Sequence, residues 1–384
     1  MKNRKSLLIV LALFAFVFAS CNQNADQKPV LGKYTIASTE TTEAGIVKSV
    51  INYESIDTAG KPITLSGYFE YPENTAIKQL ILSVHGTIQF NSQAPSATKS
   101  AGSLAATKEN ARVYIAPDYL GYGLSGDKVH PYMNQELTAI NSLDCEFAVL
   151  QYFIDKNIAL TEDHYTIVIG YSQGGSSALA THKYIENNIS EEKQTLINLK
   201  KSYCGGTPAD LVKTMDVYFA AEKTNTILVF LVIQGMLESY PDVLGNYTLQ
   251  DFYTDKVDAN KVAAGINAKT QVGLYSAMAA FPSDTSANNI HSEPMHNKDS
   301  EFYKAFISCL QKNDLTDWEP KHPINFYHST TDDTVPFENY EVLMSAEKMG
   351  RYPELVKGQT GTGNHGTYGG TFSVLAAAEI NAME

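Results

Sequence analysis

Cysteine is scarce, with four in 384 residues. Cys21 closes an N-terminal apolar run, which leaves Cys145, Cys204 and Cys309, an odd set that can close at most one bridge. That excludes a disulfide scaffold. The three read as buried thiols, with a Cys204–Cys309 pair as the alternative. Basic charge is also short: 29 Lys and Arg against 42 Asp and Glu give −13. Such a balance argues against a nucleic-acid ligand and against a basic face for anionic membrane. The N-terminal apolar run, Leu7 to Ala19, has thirteen residues, short of the roughly 20 that span a bilayer. No G-x-G-x-x-G opens a helix after the first strand, and no Walker-type lysine follows a glycine loop. His291 and His296 are five apart, so they do not share a helical face as H-x-x-x-H would. No metal site and no organic cofactor are read from the chain, and no carboxylate pair is marked out for glycoside chemistry.

What is present begins with a leader. "MKNRK" followed by the apolar run suits a secretory signal. It stops at "FASC", where small residues before a cysteine resemble a lipobox. Residues 1–21 therefore read as a lipoprotein-type signal with Cys21 as the acylated residue; plain cleavage near Ser20 is the alternative. Either way the chain is exported, and the lipid would be its only link to a membrane. Loss of Lys2, Arg4 and Lys5 with the leader takes the net charge from −13 to −16. Residues 22–45 are polar and weakly patterned and read as a tether.

Over the whole chain 43% of residues are apolar and 18% charged, enough for the remainder, 46–384, to build a substantial core. "IVKSVINYESID" and "KPITLSGYFEYP" alternate around "TAG" and predict a hairpin. "QLILSVHGT", "ARVYIAPDYLGYG", "HYTIVIGY", "KKSYCGG", "PINFYHS" and "PELVKG" predict strands. Ala97–Glu109, "NQELTAINSLDCEFAVLQYFIDKN", "SSALATHKYIENN", "FENYEVLMSAEKMG" and the stretch from about Tyr368 predict helices. This alternation means an α/β fold, a mostly parallel sheet with helices on both faces. Residues 208–318 give mainly helical signals and read as an inserted cap. Within them "ILVFLVIQGML" is either an apolar wall for substrate, as is Trp318, or a plain core helix.

The chemistry is carried by Gly170-Tyr171-Ser172-Gln173-Gly174. This is G-x-S-x-G placed directly after a strand and before a helix, the context a nucleophile elbow needs. Serine needs a base, and the base an acid, in the chain order Ser, Asp or Glu, His. Of the nine histidines only His365 follows the strand end that offers Asp332 and Asp333. Val335-Pro336 lie three and four places beyond Asp332, which favours Asp332 as the acid, with Asp333 left to solvent or a turn cap. The oxyanion donors expected are the amides of Gln173 and of Thr87, the latter in "LSVHGTIQF". His85 in that loop is read as structural.

"APDYLGYG", "HPYM", "GYSQGG", "GGTPADL" and "PINFYHSTTDDTVPF" together resemble the secretory lipase family of the α/β-hydrolase superfamily. The resemblance implies a Ser172–Asp332–His365 triad, Asp118-Tyr119 on the floor near the oxyanion loop, and Tyr119 and Tyr171 against the substrate. It implies hydrolysis of a small-molecule carboxylic ester through an acyl-enzyme, outside the cytoplasm. A serine exopeptidase or acyltransferase on the same fold, and a tethered non-catalytic binding protein, are the alternatives. Oligomeric state is not legible.

Overall fold

The computed structural model describes residues 31–383. The expected leader and Cys21 lie outside the described residues. No described helix is long and apolar enough to cross a membrane.

Among the described residues nine strands form one sheet in the order β1-β2-β3-β5-β4-β6-β7-β8-β9. β1 (Tyr34–Thr41), β2 (Ile46–Ile56) and β3 (Pro62–Pro72) are antiparallel, and β3 meets β5 (Arg112–Pro117) antiparallel as well. From β5 onward every pair is parallel: β4 (Ile77–Val84), β6 (Leu160–Tyr171), β7 (Leu199–Gly205), β8 (Ile324–Ser329) and β9 (Val356–Gly361). β4, β5 and β8 are almost wholly buried, as strands covered on both faces must be. This is the expected α/β architecture, a mostly parallel sheet.

Helices between and after these strands position the chemistry. α1 (Gln135–Lys156) is started by the Asn134 side chain, which accepts from the Leu137 amide, and stopped by left-handed Asn157. α2 (Gln173–Asn188) leaves directly from β6. α3 (Leu211–Ala220) and α4 (Thr226–Ser239) open a helical segment between β7 and β8. It continues through α5 (Ala259–Asn267), α6 (Gln271–Met278) and α7 (Glu301–Gln311). α8 (His365–Asn381) closes the fold and lays Tyr368, Phe372, Ala376 and Ile380 on the sheet beside Tyr203 and Tyr327. The i, i+4 spacing of those four residues makes one apolar stripe.

"ILVFLVIQGML" is apolar all round because it is buried all round. Val229 to Ile233 and Met236 join Leu211, Phe252 and Phe306 in the core of the helical segment, together with Tyr132 and Met133 from the sheet side. Cys145, Cys204 and Cys309 are buried and unpaired, so no Cys204–Cys309 bridge forms.

Three expectations are corrected. The stretch read as tether contains β1, whose Tyr34–Thr41 backbone pairs with β2; its Ser and Thr side chains face solvent, so it lacks the apolar alternation that would have marked it. No helix runs from Ala97 to Glu109. Only single turns at Pro95–Thr98 and Gly102–Leu104 form, because Lys99 (φ 50°) and Gly102 (φ 56°) are left-handed. The helix expected from Phe337 to Gly350 spans only Glu338–Leu343.

One buried acid is weakly compensated. Glu146 on α1 is fully buried; Thr166 Oγ1 donates to its Oε1 at 2.8 Å, and its Oε2 has no partner among the described residues. Burial pushes its pKa up to about 7, opposed by the Thr166 bond. A raised acid binds its proton in the folded state first, so stability falls as pH rises from the unfolded value through about 7. The loss at higher pH is at most roughly 3 kcal/mol, from ~1.4 kcal/mol per unit. Glu146→Gln should flatten the decline of the unfolding free energy between pH 5 and pH 8 in denaturant titrations. An unchanged pH slope would show that Glu146 is not its source.

Candidate active site

The site is built at the carboxyl ends of β4, β6 and β8. β6 runs into Ser172, whose backbone sits at φ 62°, ψ −126°. A non-glycine residue holds such angles only when its surroundings over-determine them, at a cost of about 1–3 kcal/mol. The surroundings are close backbone. The Ser172 amide donates to Gly205 O at 2.8 Å, and its carbonyl accepts from Gly175 N at 2.8 Å. A Cβ on Gly170 would lie 2.1 Å from Gly174 O, and one on Gly174 would lie 2.3 Å from Val84 O. Both glycines are there because strand, turn and helix pass through one another's side-chain space. The Ser172 hydroxyl makes no hydrogen bond among the described residues. Such bonds are often loose in a free enzyme and tighten with substrate.

Asp332 and His365 meet beyond β8 and β9. His365 Nδ1 donates to Asp332 Oδ2 at 2.8 Å, with Oδ1 at 3.0 Å. The Asp332 side chain is fully buried, whereas that of His365 is 14% exposed. The amides of Thr334 and Val335 donate to Asp332 Oδ1 at 2.9 and 2.8 Å. Burial pushes the Asp332 carboxyl up, but the bond and charge of His365 and these two amides outweigh it, and its pKa lies below the usual value. Asp333 turns elsewhere: its Oδ1 accepts from the His365 amide at 3.0 Å. The Tyr171 hydroxyl donates to the His365 carbonyl at 2.7 Å, and the two rings lie 4.9 Å apart. The residue before the serine therefore holds the backbone of the histidine.

The loop after β4 packs on the elbow. A Cβ on Gly86 would sit 3.0 Å from Tyr171 O and 3.6 Å from Ser172 Cβ. Among the described residues the amides of Thr87 and Gln173 donate to nothing; Gln173 is the first residue of α2, where orphan N–H groups are inherent. The Thr87 hydroxyl pairs with Tyr132 OH at 2.6 Å. Tyr132 in turn packs against α4, where a Cβ on Gly235 would lie 2.2 Å from Tyr132 O. His130 Nδ1 donates to Leu120 O at 2.7 Å, so its Nε2 accepts from Gln173 Nε2 at 2.7 Å. Burial drives the His130 pKa down to about 3 and keeps it neutral. His85 stacks on Tyr119 at 4.0 Å, with its ring nitrogens 2.7 Å from Gly86 O and 3.1 Å from Asp118 O. Burial lowers its pKa against those two carbonyls.

Tyr119 lies 1% exposed beneath His85, its hydroxyl donating to His85 O at 3.1 Å; it braces the loop from below. Asp118 is fully buried, accepting from Ser66 Oγ at 2.5 Å and the Ser96 amide at 2.8 Å. Trp318 packs on His182 with ring centroids 5.5 Å apart. A cavity of about 20 Å³ lies between Ile88 and Gln89 of the loop and Ile227, Leu231 and Leu274 of the helical segment. Sequence reading missed the bonds of Tyr132 to Thr87 and of His130 to Gln173. The "HPYM" motif marked these residues but not their targets, which lie 45 positions from Tyr132 and 43 from His130.

Fold and site together define an α/β-hydrolase. The secretory lipase family model matches residues 103–348, and the chain belongs to that family; it is a carboxylic-ester hydrolase of the exported kind. No curated protein sequence matches it. Among solved structures it is similar to the rice cell wall degrading esterase LipA from Xanthomonas oryzae, at 21% identity over 91% of this chain and 95% of that one, TM-score 0.70. A hydrolase from Legionella pneumophila is similar at 17% identity over 92% and 99%, TM-score 0.72. Candida antarctica lipase A is similar at 13% identity over 87% and 76%, TM-score 0.59. At these identities the likeness speaks to the fold.

Gly170→Ala should push the Gly174 carbonyl away from β6 and distort the turn at Ser172, lowering ester hydrolysis and the unfolding midpoint together, by about 1–3 kcal/mol in stability. A variant with normal activity and an unshifted melt would show that the close approach is not a constraint.

Proposed function

We propose that the protein hydrolyses carboxylic esters through an acyl-enzyme on Ser172, with His365 as general base and acid and Asp332 as the group that orients it. The observation carrying this reading is the Asp332–His365 Nδ1 bond of 2.8 Å beside a serine held at positive φ. His365 Nδ1–H bonded to a buried carboxylate leaves Nε2 as the basic nitrogen, the tautomer needed to take the Ser172 proton. It would then protonate the leaving alcohol. The unpartnered amides of Thr87 and Gln173 are the donors for the oxyanion, each worth about 2.7–4 kcal/mol in the transition state. Tyr171 acts on the histidine backbone and Tyr119 beneath the loop; neither needs to touch the substrate for this role. The chemistry of these residues requires no cofactor.

The helical segment between β7 and β8, with limits at about 208–318, is the cap over this site, and Cys21 carries the lipid that tethers the exported protein. Residues 1–21 are then leader and anchor.

Ser172→Ala and His365→Ala should each lower kcat/KM on p-nitrophenyl esters by on the order of 10⁴-fold or more, and Asp332→Asn by about 10⁴-fold through the wrong tautomer. Asp333→Asn should stay within about 10-fold, since it removes only a charge-assisted bond to the His365 amide. Equal losses at Asp332 and Asp333 would overturn the assignment. Inert wild type that still reacts with a fluorophosphonate at Ser172 would keep the nucleophile and move the substrate to peptides. Neither turnover nor labelling would favour a binding protein. Cys21→Ser should release the protein from the membrane fraction; persistence there would rule out the lipid anchor.

A further inference from the structure

Ten residues along α2 from Ser172, about 15 Å at 1.5 Å per residue, three side chains on distant stretches of chain converge. They are His182 and Glu186 on α2 and His322 just before β8, and their ligand atoms lie within 4.8 Å of one another. We propose that they form a binding site for a divalent first-row transition ion, Zn²⁺ in particular, distinct from the ester-hydrolysing site.

The argument begins with Glu186 Oε1. Four nitrogens lie within hydrogen-bond distance of this single oxygen: Lys321 N at 3.0 Å, His322 N at 2.8 Å, His182 Nε2 at 3.0 Å and His322 Nδ1 at 2.7 Å. A carboxylate has about four lone-pair sites across two oxygens, so one oxygen accepts about two donors. The His322 amide is an obligatory donor and takes one of those places, the Lys321 amide being shared with Oε2 at 2.9 Å, so one place on Oε1 is left. The two imidazole nitrogens exceed that one place as proton donors, yet both converge on the same point. As neutral ligands they need no proton there, and a cation beside Oε1 gives both lone pairs a partner.

The surroundings fit. Ligands about 2.1 Å from a tetrahedral ion are ~3.4 Å from each other; the His182–Glu186 and His322–Glu186 distances of 3.0 and 2.7 Å lie within ~0.7 Å of that, a shift the half-exposed His322 ring has room to make. His182 Nδ1 lies 2.7 Å from Ser202 Oγ on β7, the outer hydrogen bond that fixes a ligating imidazole's tautomer and ring plane. The two amides do the same for Glu186, whose Oε2 also takes Lys321 N at 2.9 Å. The Lys321 ammonium is occupied by the Glu186 carbonyl at 3.0 Å. The His182 and Glu186 side chains are 0% and 1% exposed, but that of His322 is 44% exposed, which opens an entry path and room for water ligands. Two imidazoles and one carboxylate suit Zn²⁺ or Co²⁺ better than Ca²⁺ or Mg²⁺, which prefer oxygen donors. An ion here would staple the helix that starts at Ser172 to the strand that leads to Asp332.

The test uses the full protein, stripped with chelator and titrated with Zn²⁺, and separately with Co²⁺ as a visible-band reporter. Wild type should bind one Zn²⁺ per chain, melt higher with it, and develop Co²⁺ ligand-field bands. Ser202→Ala should weaken Zn²⁺ binding about 10-fold, as loss of an outer-sphere partner does. His322→Ala, at a half-exposed position, should abolish the Co²⁺ bands and weaken Zn²⁺ binding by at least about 100-fold. Its metal-free ester hydrolysis should equal that of metal-free wild type. Absence of stoichiometric binding, or bands and affinity unchanged in His322→Ala, would overturn the site and leave the cluster a hydrogen-bonded clasp.

Discussion

The structure depends on one strained residue held in a space with no slack. Ser172 keeps φ 62° in a turn whose amide is held by Gly205 O and whose following Gly174 is packed onto the backbone of Val84. Each of those neighbours belongs to a different element: β7, α2 and β4. The turn is thus a shared constraint on sheet and helix, and the strain of about 1–3 kcal/mol is offset by packing far larger in extent. The loop carrying Thr87 follows from it, since Gly86 lies against Tyr171 and Ser172 and has nowhere else to go.

Around this point the helical segment contributes more than cover. Tyr132 reaches from the sheet side into the core of α4 and bonds Thr87 with its hydroxyl. The loop amide is therefore located by the same aromatic residue that seats the helical segment. Rearrangement of α4 and placement of Thr87 are not independent events.

Much of the fold could be read from periodicity because its strands are buried and short. β4, β6 and β8 announce themselves as apolar runs ending in turn residues, and the Ser–Asp–His order needs only one histidine after Asp332. The spacing to Val335-Pro336 marks Asp332, and in the structure the amide of Val335 indeed lies on that carboxylate. What could not be read obeys the opposite physics. β1 is held by backbone pairing alone and exposes polar side chains, so its sequence looks like linker. The region from Ala97 breaks at left-handed Lys99, a lysine whose identity gives no warning. His182, Glu186 and His322 meet across 136 positions, and no local spacing rule spans such a distance.

The two bonds to the backbone of His365 have a consequence for its motion. Asp333 holds the amide and Tyr171 holds the carbonyl, one from each side of the residue. The peptide planes flanking the histidine are thereby pinned, and only the two side-chain torsions are left free; the Asp332 carboxylate restrains those at Nδ1. In the proposed mechanism an imidazole with so few accessible orientations would have little rotational entropy left to lose on shuttling a proton, its alignment being settled at folding and not at each turnover.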